Sequence, residues 1–415
     1  MKWLAPQLRK AGEVVSGFGF PIKYQGDPNQ EFPFFKVGDM NAPGNERCMS
    51  VVVNTVSTET LKILKAKTFP KGTVIFPKIG AAIATNKKRM LIRPSVVDNN
   101  IMGIVPGEEL NEWYLFYWMQ QFDLRNVSNI GPVPSMRKSE VERLNIPLPP
   151  PSEQRRIVKT LDQADTLRKR CAEASAKAAR ILPALFYEIF SDPATNSKGL
   201  PVVRIGELVE QVERRDPSLQ AELPFTYIDI AGVSGLLGVI TDAKSLRGAA
   251  APGRARQIIR VNDVIISTVR PYLRATALVP EEYDNQICST GFCVLRAKAG
   301  IGFGYLYALS RLQWFTDQLN ARARGASYPA VTDADIFNLR VPRQSNKDAL
   351  MRFDQQVLNV LVLLAKQRNL ATKIDSLYEV LLRRAFTGDL TAKWREAHMK
   401  ELLAEMEAQA KALGS

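Results

Sequence analysis

The stretch IPLPPPSEQRRIVKTLDQADTLRKR, residues 146–170, decides how the chain is read. Its prolines make a rigid stop, and Ser152 is a good helix N-cap. Apolar or small residues then fall at Ile157, Leu161, Ala164, Leu167, Cys171, Ala174, Ala178, Ile181 and Leu185. From Ala164 the steps alternate between three and four residues, which is the heptad seam of a helix that packs on another helix. A second seam runs through Phe353, Val357, Val360, Leu364, Gln367, Ala371, Ile374, Tyr378 and Leu381. A helix of about 38 residues is roughly 57 Å long at 1.5 Å per residue. Neither seam can stay bare in water, so the spacing predicts that the two helices pair, antiparallel. The simpler alternative is two separate helices, each docked on its own domain. Pro183 predicts a kink or short interruption, because proline inside a helix costs about 3 kcal/mol.

The pairing makes sense because the chain is written twice. Shifted by about 195 residues, RLNIPLP (143–149) falls on NLRVPRQ (338–344), and Pro134 falls on Pro329. With small changes of offset, WYLFYWM (113–119) meets GYLYALS (304–310), and FPKGTVIFPKIG (69–80) meets RVNDVIISTVRP (260–271). Each half carries short β-type runs punctuated by Gly, Pro and Asn, with one helix inside, at 109–122 and 304–323. A Pro-marked exit and a long helix follow. The expected fold is α+β: two similar globular domains separated by a long antiparallel two-helix coiled coil, related by a pseudo-twofold repeat.

Composition narrows the function. The chain has 415 residues, 46% hydrophobic and 24% charged, as in folded proteins. No run approaches the roughly 20 apolar residues of a membrane span, and the N-terminus MKWLAPQLRK lacks a signal-peptide core. A cytoplasmic protein is expected, its four cysteines reduced, with Cys288 and Cys293 as buried strand residues. Lys and Arg outnumber Asp and Glu by 56 to 42, a net charge of +14 spread over the folded segments. That suits a polyanion laid across the molecule.

Catalytic motifs are missing. The single histidine, His398, lies in the amphipathic tail, where a surface helix position is expected; this argues against histidine-metal nucleases and Ser-His-Asp hydrolysis. There is no phosphate-binding G-x-x-x-x-G-K-[ST] loop and no Asn/Asp-Pro-Pro-Tyr tetrad of the kind that holds a flipped base. The two GFG triplets, 17–19 and 302–304, read as turns. Asp229, Asp242 and Lys244 faintly resemble the acidic-lysine set of a metal nuclease, a pattern common by chance. No catalytic residue and no metal ligand is assigned.

Two like domains on a rigid spacer make a ruler for two half-sites, which on one face of B-DNA lie about 34 Å apart. Basic residues beside glycines and aromatics are the candidate DNA contacts. In the first half they are Lys36, Lys78, Lys87, Lys88, Arg89, Arg137 and Lys138; in the second, Arg254, Arg256, Arg270, Arg274, Arg322 and Arg324, with Tyr328. Residues 191–344 use 15 Arg and 3 Lys, and residues 1–151 use 7 Arg and 12 Lys. Arginine can grip guanine O6 and N7 with two hydrogen bonds, whereas lysine meets phosphate as a point charge. The two halves should therefore read different half-sites.

These residues carry a family resemblance. IPLPPPSEQRRIVKTLD before a heptad helix resembles the central region of the specificity subunits of Type I restriction-modification enzymes. LYEVLLRRAFTGDLTAKWRE (377–396) resembles the end of the family's distal region. VVSGFGFPI near the start, and VVRIG followed by LVEQV, resemble the openings of its two target-recognition domains. The second exit, VPRQSNKDALMRFDQQ, departs from the pattern by losing the Pro-Pro and the Glu-Gln. The resemblance implies a first recognition domain over 1–150, a central helix over 151–192, a second recognition domain over 193–344, a distal helix over 345–390, and a tail over 391–415. It implies a non-catalytic subunit that reads a bipartite, asymmetric site in double-stranded DNA. Two methyltransferase subunits would dock on the coiled coil, and restriction subunits would join the full complex. S-adenosylmethionine would belong to the methyltransferase, and ATP and Mg to the restriction subunit; this chain would bind no cofactor. The helix-pairing and docking residues are Ile157, Leu161, Leu167, Ile181, Leu185, Phe353, Val357, Val360, Leu364, Ile374 and Leu381. The alternative is the same scaffold serving a different methyltransferase, nuclease or defence complex.

Overall fold

The computed structural model describes residues 2–129 and 131–414. The chain forms two compact units, Met1–Arg170 with Ala371–Ser415, and Cys171–Leu370. Among the described residues no helix is long and apolar enough to cross a membrane.

The first unit is built on a five-stranded sheet, in the order Gly12–Ser16, Ile101–Pro106, Val74–Pro77, Arg89–Leu91, Cys48–Met49. Val74–Pro77 is buried along its whole length, as a continuous apolar run suits a strand covered on both faces. Against this sheet lies the helix Glu112–Gln120, capped by the Asn111 side chain. Tyr114 to Met119 are all buried, and a helix apolar all round is an enclosed one. The second unit repeats the plan. A four-stranded sheet, Val209–Glu210, Phe292–Ala297, Val264–Ser267, Thr276–Leu278, carries the helix Phe303–Arg311. A second sheet, Lys244–Arg247, Pro224–Ile228, Gln286–Ser289, Ala255–Ile259, lies in the same unit. Cys288 and Cys293 are buried on strands of these two sheets.

The written repeat is a structural one at the level of single bonds. The Tyr114 hydroxyl donates to the Pro147 carbonyl at 2.6 Å, and the Tyr305 hydroxyl donates to the Pro342 carbonyl at 2.5 Å. The Leu8 N–H binds the Leu144 carbonyl at 2.7 Å, and the Ile205 N–H binds the Leu339 carbonyl at 3.0 Å. The pairs Leu144/Leu339 and Pro147/Pro342 are those read from the sequence.

The long helices run Pro151–Ala178, Ile181–Phe190 and Lys347–Thr387. The first pair breaks at Ala179–Arg180, so Pro183 falls in the first turn of a new helix. There its missing N–H is one that would go unpaired anyway. In the first unit Ile157 and Leu161 share a core with Tyr378, Leu382, Ala385 and Phe386. The helices run antiparallel: Glu153 meets Thr391 and Arg395, and Arg168 meets Asp375 and Tyr378. The seam departs from the expected one at Leu167, which is 46% exposed. Arg168 takes the slot instead, its guanidinium 4.3 Å from the Tyr378 ring and its Nε 2.8 Å from Asp375. The step from Ala164 is thus four, then three, which is still heptad spacing. Ile374 is buried, whereas Leu381 is only partly covered and Leu382 faces the core. In the second unit Phe353, Val357 and Val360 are buried and Leu364 packs beside them. Ile181 and Leu185 flank this core, and Leu182, Phe186 and Phe190 fill it, because the break at 179–180 resets the helix phase by one residue.

The PSEQ motif explains itself in this packing. Glu153 and Gln154 are both fully buried. Gln154 accepts the Asn111 N–H at 2.8 Å, and its amide donates to the carbonyls of Glu109 and Pro149. It fastens the start of the helix Glu112–Gln120 to the start of the long helix. In the second unit Asp354 does the same work, accepting the Gly304 N–H at 2.7 Å. A Cβ on Gly302 or Gly304 would stand within 2.8 Å of the Asp354 carboxylate, so this GFG is required by a close approach and not by a turn. The Glu-Gln of the first copy is thus replaced by Phe353-Asp354, and the fastening survives the loss of the motif. The tail helix Met399–Ala412 folds back onto its own unit: Leu402 is buried, and Gln409 reaches the same Glu109 and Pro149 carbonyls. His398 is partly buried, its ring stacked on Trp394 at 4.5 Å.

Asp354 carries a pH prediction. Burial pushes its carboxyl up to about 6, against the helix N–H groups that pull it down. A carboxyl raised in the folded state stabilises most below its unfolded value near 3.8 and loses that contribution as pH rises to about 6. Resistance to urea should therefore decline across that window, and Asp354→Asn should flatten the decline. An Asn variant with an unchanged pH profile would refute the assignment.

Candidate nucleic-acid interface

In the second unit two loops are laced together. Val269 bridges to Ala330, the Arg270 N–H binds the Pro329 carbonyl at 2.7 Å, and the Val331 N–H binds the Thr268 carbonyl at 2.9 Å. Arg324 pairs with Ala330 across the turn. The surface so formed carries Arg270, Tyr272, Leu273, Arg274, Arg324 and Tyr328. Tyr272 and Leu273 are each 52% exposed and Tyr328 is 68% exposed. The Arg270 guanidinium sits 4.4 Å from the Tyr328 ring centroid, a cation–π contact. Arg270 and Arg274 both adopt left-handed backbone, with φ of 50° and 54°, which costs a non-glycine residue of order 1 kcal/mol. Nε of each is buried without an acceptor. Arg324 is exposed and reaches Asp335 at 3.3 Å.

Sequence reasoning missed the residue that holds this surface up. Arg311, at the end of the helix Phe303–Arg311, donates to the carbonyls of Gly235 at 2.7 Å, Leu236 at 3.1 Å and Arg274 at 3.3 Å. Nothing in its sequence context marks it, since its partners are backbone groups of distant loops. Arg311→Ala should strand these carbonyls at a cost of about 1–3 kcal/mol. Hydrogen exchange should then quicken in residues 234–238 and 270–275; unchanged exchange there would refute the role.

The first unit builds the same lacing with other side chains. Ile79 bridges to Ser135, the Gly80 N–H binds the Pro134 carbonyl at 2.7 Å, and the Met136 N–H binds the Lys78 carbonyl at 2.9 Å. The bonds put Gly80 opposite Arg270, so the sequence alignment that set Gly80 on Pro271 slips by one residue here. Lys78 is partly buried, and burial lowers its ammonium pKa.

The other candidates scatter. Lys88 is corrected: it is 1% exposed and donates to Asn86 Oδ1 and the Phe122 carbonyl. Just before the strand Arg89–Leu91, Lys87 reaches Asn41 while Lys88 turns inward. Burial pulls the Lys88 pKa down to about 8. Arg89 is also corrected, since its guanidinium is spent on the Lys88 and Met40 carbonyls. Lys36 bonds to Gln25 at 2.8 Å. Arg137 and Lys138 are exposed at the start of a short helix, with Lys138 3.6 Å from Glu142. Arg254 is exposed, Arg256 pairs with Asp216 at 3.1 Å, and Arg322 bonds back to Gln318. Another residue the sequence did not single out, Arg47, lies 4.1 Å from the Trp113 ring and pairs with Asp162 and Asp165 of the long helix.

The chain thus carries two like α+β units, each presenting a laced pair of loops. Residues 10–173 match the family described as the Type I restriction modification DNA specificity domain. The chain is 21% identical over 317 residues to the specificity subunit of the Type I restriction enzyme EcoDI of Escherichia coli, covering 67% of this chain and 70% of the relative. It is 24% identical over 247 residues to the MjaIX specificity subunit of Methanocaldococcus jannaschii, covering 54% and 55%. Its fold is similar to the crystal structure of the Type-I restriction-modification S subunit from M. genitalium, with a TM-score of 0.57 at 14% identity over 93% of this chain and 96% of that one. Residues 10–173 thus match the specificity domain of Type I restriction-modification systems, and the chain is similar to specificity subunits of such systems.

Proposed function

We propose that this chain reads a bipartite, asymmetric DNA site, one half-site per head, and that catalysis resides in its partners. The observation that carries this reading is the laced loop pair, built twice on one backbone plan with different side chains. Residues 1–150 and 193–344 are the two readers. Two methyltransferase subunits, using S-adenosylmethionine, dock on the long helices, whose exposed apolar residues include Leu167, Leu358, Val362 and Leu377. Restriction subunits, using ATP and Mg, join the full complex in the cytoplasm, and this chain itself holds no cofactor. The test is long-read sequencing of DNA from cells expressing this chain with and without its methyltransferase partner. The expected result is methyladenine in one split motif, dependent on both proteins. Co-purification of the two without a split motif would overturn the reading in favour of a scaffold borrowed by another complex.

A further inference from the structure

Position 80 in the first head and position 270 in the second are the same place in the repeat. Each N–H binds the carbonyl of an equivalent proline, Pro134 or Pro329, at 2.7 Å. Each has left-handed backbone, with φ of 72° at Gly80 and 50° at Arg270. Glycine takes that conformation without strain and arginine does not. The first head thus uses the residue that the backbone prefers, and the second carries an arginine against that preference. A strained residue kept where an unstrained solution exists in the same molecule points to use.

The surroundings say what use. The residue preceding the proline is exposed in both heads: Val133 at 63% and Tyr328 at 68%. Only in the second head does it stack a guanidinium, 4.4 Å from ring to charge. Stacking pre-orients the planar fork, as bidentate recognition of a base edge requires. The Arg270 Nε is buried without an acceptor, so the group is not consumed by the fold through that atom.

We propose that Arg270, held by Tyr328, is a specificity-determining residue that reads a guanine in the half-site of the second head, and that Gly80 and Val133 leave the first head without this contact. The inference rests on the two-headed reading above. The test uses the chain with its methyltransferase partner, the split motif as the first readout, and affinity for specific and random duplexes at fixed salt as the second. Arg270→Gly installs the first head's residue and relieves the backbone, so the variant should fold. It should relax one G·C position in one half of the motif and leave the other half intact. Affinity for the specific duplex should fall about 10- to 100-fold, with little change on random duplex. Arg270→Lys keeps the charge but not the fork and should relax the same position. Tyr328→Phe should preserve the motif, and Tyr328→Ala should blur it at that position. An unchanged motif in Arg270→Gly, or equal losses on both duplexes, would overturn the inference. No split motif from the unsubstituted chain would overturn the parent reading as well, and is recognised before any substitution is made.

Discussion

Glu153→Ala should destabilise the first unit by about 3–5 kcal/mol, the cost of breaking a buried charge network. Glu153 is fully buried. It accepts from Trp3 Nε1 at 2.9 Å, from the Thr391 hydroxyl at 2.6 Å and from Arg395 Nε at 2.8 Å. The Arg395 guanidinium also lies 4.8 Å from the Trp3 ring and donates to the Gly388 carbonyl at 2.6 Å. Deleting the carboxylate leaves a guanidinium that is 13% exposed with one fewer partner and strands two neutral donors. Arg395→Ala should cost a similar amount, because it leaves the carboxylate buried without its counter-charge. The double substitution should cost much less than the two added together. Urea unfolding of the full chain, followed by Trp fluorescence, gives all three values; simple additivity would show that the pair is not coupled.

Phe353→Ala should destabilise the second unit by about 3–5 kcal/mol, the usual cost of emptying a buried Phe site. Phe353 is 0% exposed and its ring lies 4.8 Å from Phe190 and 6.5 Å from Phe186. Phe186 and Phe190 in turn pack on Tyr305 at 5.5 Å and 4.9 Å. Phe353→Leu should recover part of the loss by refilling volume. The unfolding transition of this unit should move while that of the first stays in place. A loss under 1 kcal/mol would mean that the site collapses around the deletion.

These two predictions concern one position, written as Glu beside Gln154 and as Phe beside Asp354. The first unit satisfies it with a charge network and the second with an aromatic cluster, and replacing a buried ion pair by packed hydrophobic residues is often neutral. That exchange is why the second exit was hard to read. The motif vanished while its fastening persisted in Asp354, a residue of different length. The repeat itself was legible because Leu144, Ile146 and Pro147 kept their types in the second copy, and the bonds to Pro147 and Pro342 need only a backbone carbonyl and a tyrosine. The long helices were legible because heptad periodicity survives substitution. Leu167 was misplaced because the seam there is completed by a polar residue, Arg168, which a hydrophobic pattern cannot show. Lys88 and Arg89 were misread because charge in a short run was taken as exposure, whereas both side chains are spent on carbonyl oxygens that no sequence pattern marks. Arg311 left no signal at all, because a guanidinium that binds carbonyls has no partner side chain to betray it.

The fastenings of each head, from Leu8 to Leu144 and from Ile205 to Leu339, use backbone atoms and involve none of the loop residues that differ between the heads. These moorings stand apart from the loops that carry Lys78 and Gly80 in one head and Arg270 and Tyr328 in the other. Anchorage and presented surface thereby rest on different residues.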